Sequence, residues 1–405
     1  MIKKINLDGQ IYEISNDAKE LYHMNSNHFI NCNMALEMMK DALDYIYGLM
    51  KLHFSGAYMP PLYIIKREDV NAFALATSYT SGMIFVTHGL IQKGAELIEQ
   101  RYRNEIFQRY GLLKAVDPEI ARSGIRVYLW RYIVLHELYH LWDRHSVWKK
   151  KYKFNENGEL ISRTSINANS IDNDIIAETV THSADCDCLT DEQIQSNLTQ
   201  QVLELDADSS AVCMLVNLMM IDTDARVKAG SLREEDKKGH IQIELALMMG
   251  ALSAAFCLFD GNAGAKFDKL SNLKDSTHPI PSIRMLYAEE IADGCLHYYF
   301  KDTDEITFLE LEWQKLICDV DADYNGKVDF GQVFYFTAYT RAAQEHLSIL
   351  KKRMIAIYDT LQPLALCNFA EKLADEDAEV DELMIWFDDN GHSLKGWGNI
   401  SRRRN

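Results

Sequence analysis

Residues 132–145 read YIVLHELYHLWDRH, a stretch that contains the pattern H-E-x-x-H. Residues 127–135 are mostly apolar or aromatic and contain no Gly or Pro, so the sequence predicts a buried helix here. On that helix His136 and His140 lie on one face, about 40° apart. Two imidazoles can then face one metal ion, with Glu137 beside them to take a proton from water. A zinc hydrolase needs this arrangement.

The H-E-x-x-H pattern also occurs by chance in helices with surface histidines, so a third ligand matters. His145 is the nearest candidate in the sequence. It follows His136 by nine residues, so on one straight helix over about residues 125–148 it would point roughly 160° away from the other two histidines. We therefore interpret His145 as structural.

A better third ligand lies in residues 203–211, which read LELDADSSA. Here Glu204 sits beside the apolar face of a predicted helix, and Asp208 follows one turn later. Glu204 is the predicted ligand, and Asp208 could accept the free N–H of a metal-binding histidine and so fix its orientation. The alternative is that Glu204, Asp206 and Asp208 form a solvated acidic edge.

These residues predict a hydrolytic mechanism. Zinc would lower the pKa of a water toward about 7, and Glu137 would accept its proton and pass it to the leaving amine. A further donor should stabilise the developing oxyanion. His278 and Arg284, near the start of a later predicted helix, are the candidates.

Composition limits the class of protein. The chain has 405 residues, a hydrophobic fraction of 47% and a formal net charge of -18. This charge argues against a partner held by nucleic-acid phosphates. The eight cysteines are scattered and include only one close pair, Cys186 and Cys188, which is a weak thiolate metal site, so we expect a reducing cytoplasmic compartment. No signal peptide is visible, and the apolar run at 245–259 is too short for a membrane span and predicts a buried helix.

The remaining patterns predict an α+β, mostly helical fold with a small sheet. Asp8-Gly9 lies between alternating apolar residues and predicts a hairpin, while residues 62–65 and 82–87 are typical of strands. Residues 150–195 are polar with little periodicity, so we interpret them as a long loop or insertion, and a lid or substrate-contacting element beside the site is a hypothesis. The predicted regions are residues 1–58 (N-terminal hairpin and helices), 59–295 (metallopeptidase core) and 296–405 (extra helical C-terminal region).

Taken together, four short elements resemble the gluzincin metallopeptidases of the HtpX and CAAX-prenyl-endopeptidase type, in the order found in that family and over roughly residues 60–290. The elements are NAFA at 71–74 with MIFVTHGL at 83–90, HELYH at 136–140 with His145, ELDADSSA at 204–211, and THP at 277–279 with Arg284.

This resemblance implies a gluzincin core with zinc held by His136, His140 and Glu204 and with Glu137 as the base. It also implies that the strand at 82–87 pairs with an extended substrate, and that His278 has a catalytic or regulatory role. The expected partner is a protein or peptide. A chain without clear membrane helices would be closest to the Lit phage-exclusion peptidases, which cleave a specific host protein.

A second pattern lies at 321–332, which reads DADYNGKVDFGQ and matches an EF-hand calcium loop at most positions. Position 12 is Gln332 where a bidentate Glu is expected, so the affinity should be low. The alternative is an acidic Asn-Gly turn between helices.

The sequence thus favours a cytoplasmic zinc endopeptidase. Two other functions remain open at this point. One is an interaction protein without catalysis, in which the metal is structural. The other is a metal-dependent hydrolase of a non-peptide amide.

Overall fold

The structure is a computed structural model that describes residues 2–163, 174–177, 189–260, 273–300, 316 and 340–366, apart from residues 8, 25, 52–56, 79, 80, 110, 112 and 156. Three predictions lie outside the described residues: the EF-hand-like loop at 321–332, the pair Cys186 and Cys188, and most of the helical C-terminal region at 296–405.

The described part of the chain is mostly helical with a small mixed sheet, as the α+β prediction requires. The longest helix among the described residues, α7 (Asp191–Lys228), begins at a capping box, in which Thr190 and Gln193 satisfy each other's backbone N–H groups. The helices of four or more residues are α1 (Ala18–Leu21), α2 (Asn27–Met50), α3 (His88–Arg101), α4 (Asn104–Phe107), α5 (Pro118–Trp142), α6 (His145–Lys151), α7 (Asp191–Lys228), α8 (Lys237–Asp260), α9 (Pro281–Tyr299) and α10 (Arg341–Leu361).

The main sheet has six strands in the order β1-β2-β3-β5-β4-β8. The pair β3–β5 is parallel and the other neighbours are antiparallel. The predicted hairpin is present as β1 and β2, and Gly9 in its turn has φ +80°, a conformation that favours glycine. The strands are β1 (Lys3–Leu7), β2 (Gln10–Ser15), β3 (Leu62–Ile65), β4 (Ala72–Ser78), β5 (Ser81–Thr87) and β8 (Asp174–Ala177), and β6 (Tyr152–Phe154) and β7 (Leu160–Ser162) form a separate pair.

The place of β5 in this order corrects one prediction. This strand contains the stretch 82–87, which we expected to pair with an extended substrate. It is hydrogen-bonded to β3 on one side and to β4 on the other, so it has no open edge. The prediction of an edge strand at 82–87 is therefore wrong. Sequence pattern identifies a strand, whereas its neighbours depend on long-range pairing.

The part of the interpretation of 150–195 that expects a long loop is also wrong for the residues described there. Residues 152–154 and 160–162 pair as a hairpin, residues 174–177 pair with β4, and α7 already begins at 191. Gly158 in the short hairpin has φ +76°, which permits its tight turn. A lid role for this segment stays a prediction.

The predicted single helix over 125–148 is two helices. α5 ends at Trp142, Arg144 adopts a left-handed conformation with φ +56°, and α6 begins at His145. The sequence contains no Gly or Pro at this break. The change of direction matters, because it moves His145 away from the position that a straight helix would give it.

The apolar core joins the N-terminal region to the metal-binding helix. Buried residues such as Met39 of α2 and Leu135 of α5 belong to one apolar cluster, so residues 1–58 share a core and a sheet with 59–295. Within the described residues, Glu234–Phe259 is the one helical stretch long and apolar enough to cross a membrane, and 78% of its most apolar window is buried in the protein. The prediction that the run at 245–259 forms a buried helix is confirmed.

Candidate metal centre

The candidate site lies between α5 and α7, which contact each other through side chains spaced four residues apart. Residues at this spacing share one face of a helix. Tyr132 contacts Asp208, whereas His136 and His140, later on α5, contact Glu204, which is earlier on α7. The two helices therefore run in opposite directions at the site. The facing rows are Tyr132, His136 and His140 on α5, and Asp208, Glu204 and Gln200 on α7.

Three predicted ligands converge in the middle of these rows. Nε2 of His136 lies 2.9 Å from Nε2 of His140 and 3.2 Å from Oε2 of Glu204, and His140 Nε2 lies 3.4 Å from the same oxygen. A tetrahedral metal with bonds of 2.0–2.1 Å separates its ligand atoms by about 3.3 Å. The three side chains are at most 1% exposed, and together they could hold a metal ion.

Burial and charge keep these groups in the forms that bind a cation. Burial lowers the pKa of His140 to about 3, despite the opposing effect of Glu204, so its imidazole is neutral and keeps a lone pair. Burial alone would raise the pKa of Glu204, but His140 and His278 outweigh it and hold the pKa well below its usual value. Gln200 donates a hydrogen bond to Oε1 of Glu204, which leaves Oε2 on the side of the histidines.

Asp208 lies against His136, while its predicted role of fixing the orientation of that ring stays a prediction. Oδ1 of Asp208 lies 2.8 Å from Nδ1 of His136, within hydrogen-bond distance. The carboxylate also accepts two hydrogen bonds from Arg284, at 2.8 and 2.7 Å, and one from the hydroxyl of Tyr132. Burial would raise the pKa of Asp208, but Arg284 and His136 hold it far below its usual value, so Asp208 is ionised.

The position of Arg284 corrects its predicted role as an oxyanion donor. Its guanidinium donates two hydrogen bonds to Asp208 and lies over the ring of Phe256, 4.7 Å from the ring centre. A buried arginine that pairs bidentately with a carboxylate acts on that carboxylate. Arg284 therefore holds Asp208 and does not face a reacting oxygen.

His278 lies at the edge of the candidate site, in the turn before α9. Its Nε2 is 3.7 Å from Oε2 of Glu204, and its Nδ1 is 3.0 Å from the hydroxyl of Thr277. Burial lowers the pKa of His278 to about 4, so the ring is neutral at pH 7. The predicted catalytic histidine is thus brought to the ligands, while its role stays a prediction.

The turn that carries His278 is fixed from α7 and α10. Gln201 donates hydrogen bonds to the backbone oxygens of Leu273 and Ser276, at 2.9 and 2.6 Å. Its own amide oxygen lies 2.7 Å from Nε2 of His346, on α10. Helix α10 therefore contributes to the placement of His278.

Glu137, the predicted base, is fully buried on α5 directly after His136. Adjacent residues on a helix lie about 100° apart, so Glu137 lies to one side of the ligand face. Glu137 is therefore beside the ligands in the structure, and its role as the base stays a prediction.

His145 is not one of the three converging ligands, in agreement with its interpretation as structural. The break after α5 nevertheless brings its Nδ1 within 2.7 Å of Nδ1 of His140. Its Nε2 lies 3.0 Å from Oδ2 of Asp206, and with Asp143 these residues form a second buried group that could hold a metal ion.

Sequence reasoning missed several residues of this site. For Tyr132 and Gln200 a signal was present, because each lies four residues before a predicted ligand and so on the same face. The contact between His145 and Asp206 had no comparable signal, since it depends on the break between α5 and α6.

Comparison of the chain with known protein families, curated proteins and solved structures found no match. The resemblance to gluzincin peptidases therefore rests on the sequence motifs alone.

Proposed function

We propose that this protein is a zinc-dependent endopeptidase of the gluzincin type, acting on a protein or peptide in the cytoplasm. The observation that carries the proposal is the convergence of His136 and His140 from α5 with Glu204 from α7. Two imidazoles and one carboxylate are the ligand set of thermolysin-type zinc hydrolases. The donor set fits zinc better than calcium or magnesium, which prefer oxygen ligands.

A zinc ion bound by these ligands supplies a Lewis acid, which acidifies water and polarises a carbonyl oxygen. Glu137 removes a proton from the attacking water as its oxygen bonds to the carbonyl carbon. Glu137 then delivers that proton to the amide nitrogen as the C–N bond breaks, so the products are a carboxylic acid and an amine. Asp208 keeps the ring of His136 oriented during these steps.

His278 is suited to donate a hydrogen bond to the developing oxyanion. Its neutral ring carries one hydrogen, and the hydroxyl of Thr277 can donate to Nδ1, which leaves that hydrogen on Nε2. Nε2 is the atom on the side of Glu204. A donor placed before the reaction at the site of developing charge gives the largest benefit.

A structural metal site is the second candidate, and one observation favours it. Structural zinc sites are closed by four protein ligands, and Nε2 of His278 lies only 3.7 Å from Oε2 of Glu204. If His278 were a fourth ligand, no position would remain for water, and the protein would be an interaction protein stabilised by its metal.

The substitution Glu137→Gln separates the two candidates. Cleavage of a denatured protein mixture should fall by about 10²–10⁴-fold, the usual contribution of a general base, while zinc per chain is unchanged. Glu192→Gln, a side chain that is 86% exposed on α7, is the matched control and should keep full activity.

Other outcomes identify the alternatives. A wild-type chain that holds zinc but cleaves neither the denatured mixture nor any protein of a native lysate would indicate the structural site. Hydrolysis of small non-peptide amides alone would indicate an amide hydrolase. Cleavage of one native protein alone would indicate a specific peptidase of the phage-exclusion type.

A further inference from the structure

The contact between His140 and His145 raises a question of hydrogen placement. Their Nδ1 atoms are 2.7 Å apart, and both rings are at most 1% exposed. Two nitrogens at this distance share one hydrogen, which one donates and the other accepts. The ring nitrogen that carries the hydrogen in His140 therefore determines which ring nitrogen carries it in His145.

The proposed metal site determines which nitrogen of His140 carries the hydrogen. His140 faces His136 and Glu204 with Nε2, so a metal held there uses the lone pair of that atom. The hydrogen of a neutral His140 is then on Nδ1 and is donated to Nδ1 of His145. His145 in turn has its hydrogen on Nε2, which lies 3.0 Å from Oδ2 of Asp206, a carboxylate oxygen placed to accept it.

The second buried group, Asp143, His145 and Asp206, gives the opposite assignment. A metal bound by Nε2 of His145 would leave the hydrogen of His145 on Nδ1. That hydrogen would meet the hydrogen on Nδ1 of a metal-bound His140 across 2.7 Å, with no acceptor between them. Two neutral imidazoles thus cannot serve both groups at once.

We infer that His145 and Asp206 are positioning residues, which hold His140 in the tautomer and orientation that bind the metal at His136, His140 and Glu204. The inference rests on the proposed metal site. It assigns to the second group a hydrogen-bond chain from Asp206 through His145 to His140, in place of a second metal. Partners of this kind change metal affinity by about 10–100-fold when they are removed.

The test compares two replacements of His145 by zinc affinity, measured in competition with a chromophoric chelator. His145→Leu removes the acceptor and should weaken zinc binding about 10–100-fold. His145→Asn keeps an acceptor oxygen close to the position of Nδ1 and should stay within about fivefold of wild type, because the hydrogen bond from His140 is preserved. The control is His297→Leu on α9, another histidine paired with an aspartate, at 3.1 Å from Asp293, which should have no effect.

Two further measurements make the result independent of folding defects and of enzymatic activity. Wild-type protein labelled with ¹⁵N-histidine should show scalar coupling between the two Nδ1 nitrogens across their hydrogen bond when zinc is bound. Elemental analysis should give one zinc per chain.

Several results would overturn the inference. These are equal losses of affinity for His145→Leu and His145→Asn, unchanged affinity for His145→Leu, the absence of coupling, or two zinc ions per chain with one lost in Asp206→Ala. The absence of zinc from the wild type, or affinity unchanged by His140→Ala, would instead refute the proposed metal site itself.

Discussion

The two histidines of the H-E-x-x-H motif are four residues apart on one helix, yet they are supported in different ways. His136 lies directly against the carboxylate of Asp208, which Arg284 from α9 grips with two hydrogen bonds. His140 reaches the carboxylate of Asp206 only through His145, which belongs to the next helix.

The difference shows two ways to orient a metal-binding ring. The support of His136 comes from packed helices, because α5, α7 and α9 each supply a side chain to it. The support of His140 depends on a single turn of backbone at Arg144, since that turn brings His145 back to the site. We therefore expect changes on the His136 side to affect stability most, and changes on the His140 side to affect mainly metal affinity.

Glu204→Ala should have the largest effect, since it removes the ligand that both histidines share. Zinc affinity should fall by more than the about 100-fold seen when only an outer partner of a ligand is lost. Elemental analysis of purified protein should give about one zinc per wild-type chain and a clear loss in the variant. Glu192→Ala, on the exposed part of the same helix, is the control. Equal zinc in all three proteins would contradict the site.

Arg284→Met tests the His136 side. It leaves the ionised carboxylate of Asp208 buried without its main partner, so the free energy of unfolding of the metal-free protein should fall by about 3–5 kcal/mol. Urea denaturation measures this change. The double variant Arg284→Met/Asp208→Asn should recover part of the loss, because it removes the uncompensated charge.

The control for Arg284 is Arg341→Met, which breaks an exposed ion pair with Glu345 and should leave the urea midpoint unchanged. If Arg284→Met lowered the free energy of unfolding no more than this control does, the contacts around His136 would not be critical for stability.

Two substitutions of Arg144 test the His140 side through zinc affinity. Proline fixes φ near −65° and cannot adopt the φ of +56° found here, so Arg144→Pro should displace His145 and weaken zinc binding by about tenfold or more. Arg144→Gly adopts positive φ freely and should bind zinc like the wild type. Chelator competition with both variants checks this, and equal affinity for the two would show that the turn does not position His145.

The contrast also explains which parts of the site the sequence could predict. His136, His140, Glu204 and Asp208 follow the four-residue spacing of a helix, so their shared faces are visible in the chain before any folding. The packing of α5 against α7 then brings the two rows together, and this arrangement agrees with the prediction.

The parts that sequence reasoning missed depend on backbone direction or on pairing across long distances. The break after Trp142 carries no Gly or Pro, so His145 was placed as if α5 continued. Likewise, the pattern at 82–87 predicts a strand but gives no sign that β3 and β4 cover both of its edges. The predicted role of Arg284 failed because a position near a helix start says nothing of the carboxylate it meets.

The burial of the three ligands should also slow the release of a bound ion. His136, His140 and Glu204 are at most 1% exposed and belong to two long helices that face each other. An ion held between them would leave only when α5 and α7 separate locally, and such openings are rare excursions of a packed core. The half-life of the loaded protein in excess chelator should therefore report how often these two helices part, and it should shorten in variants that loosen their packing even where the affinity for the ion is unchanged.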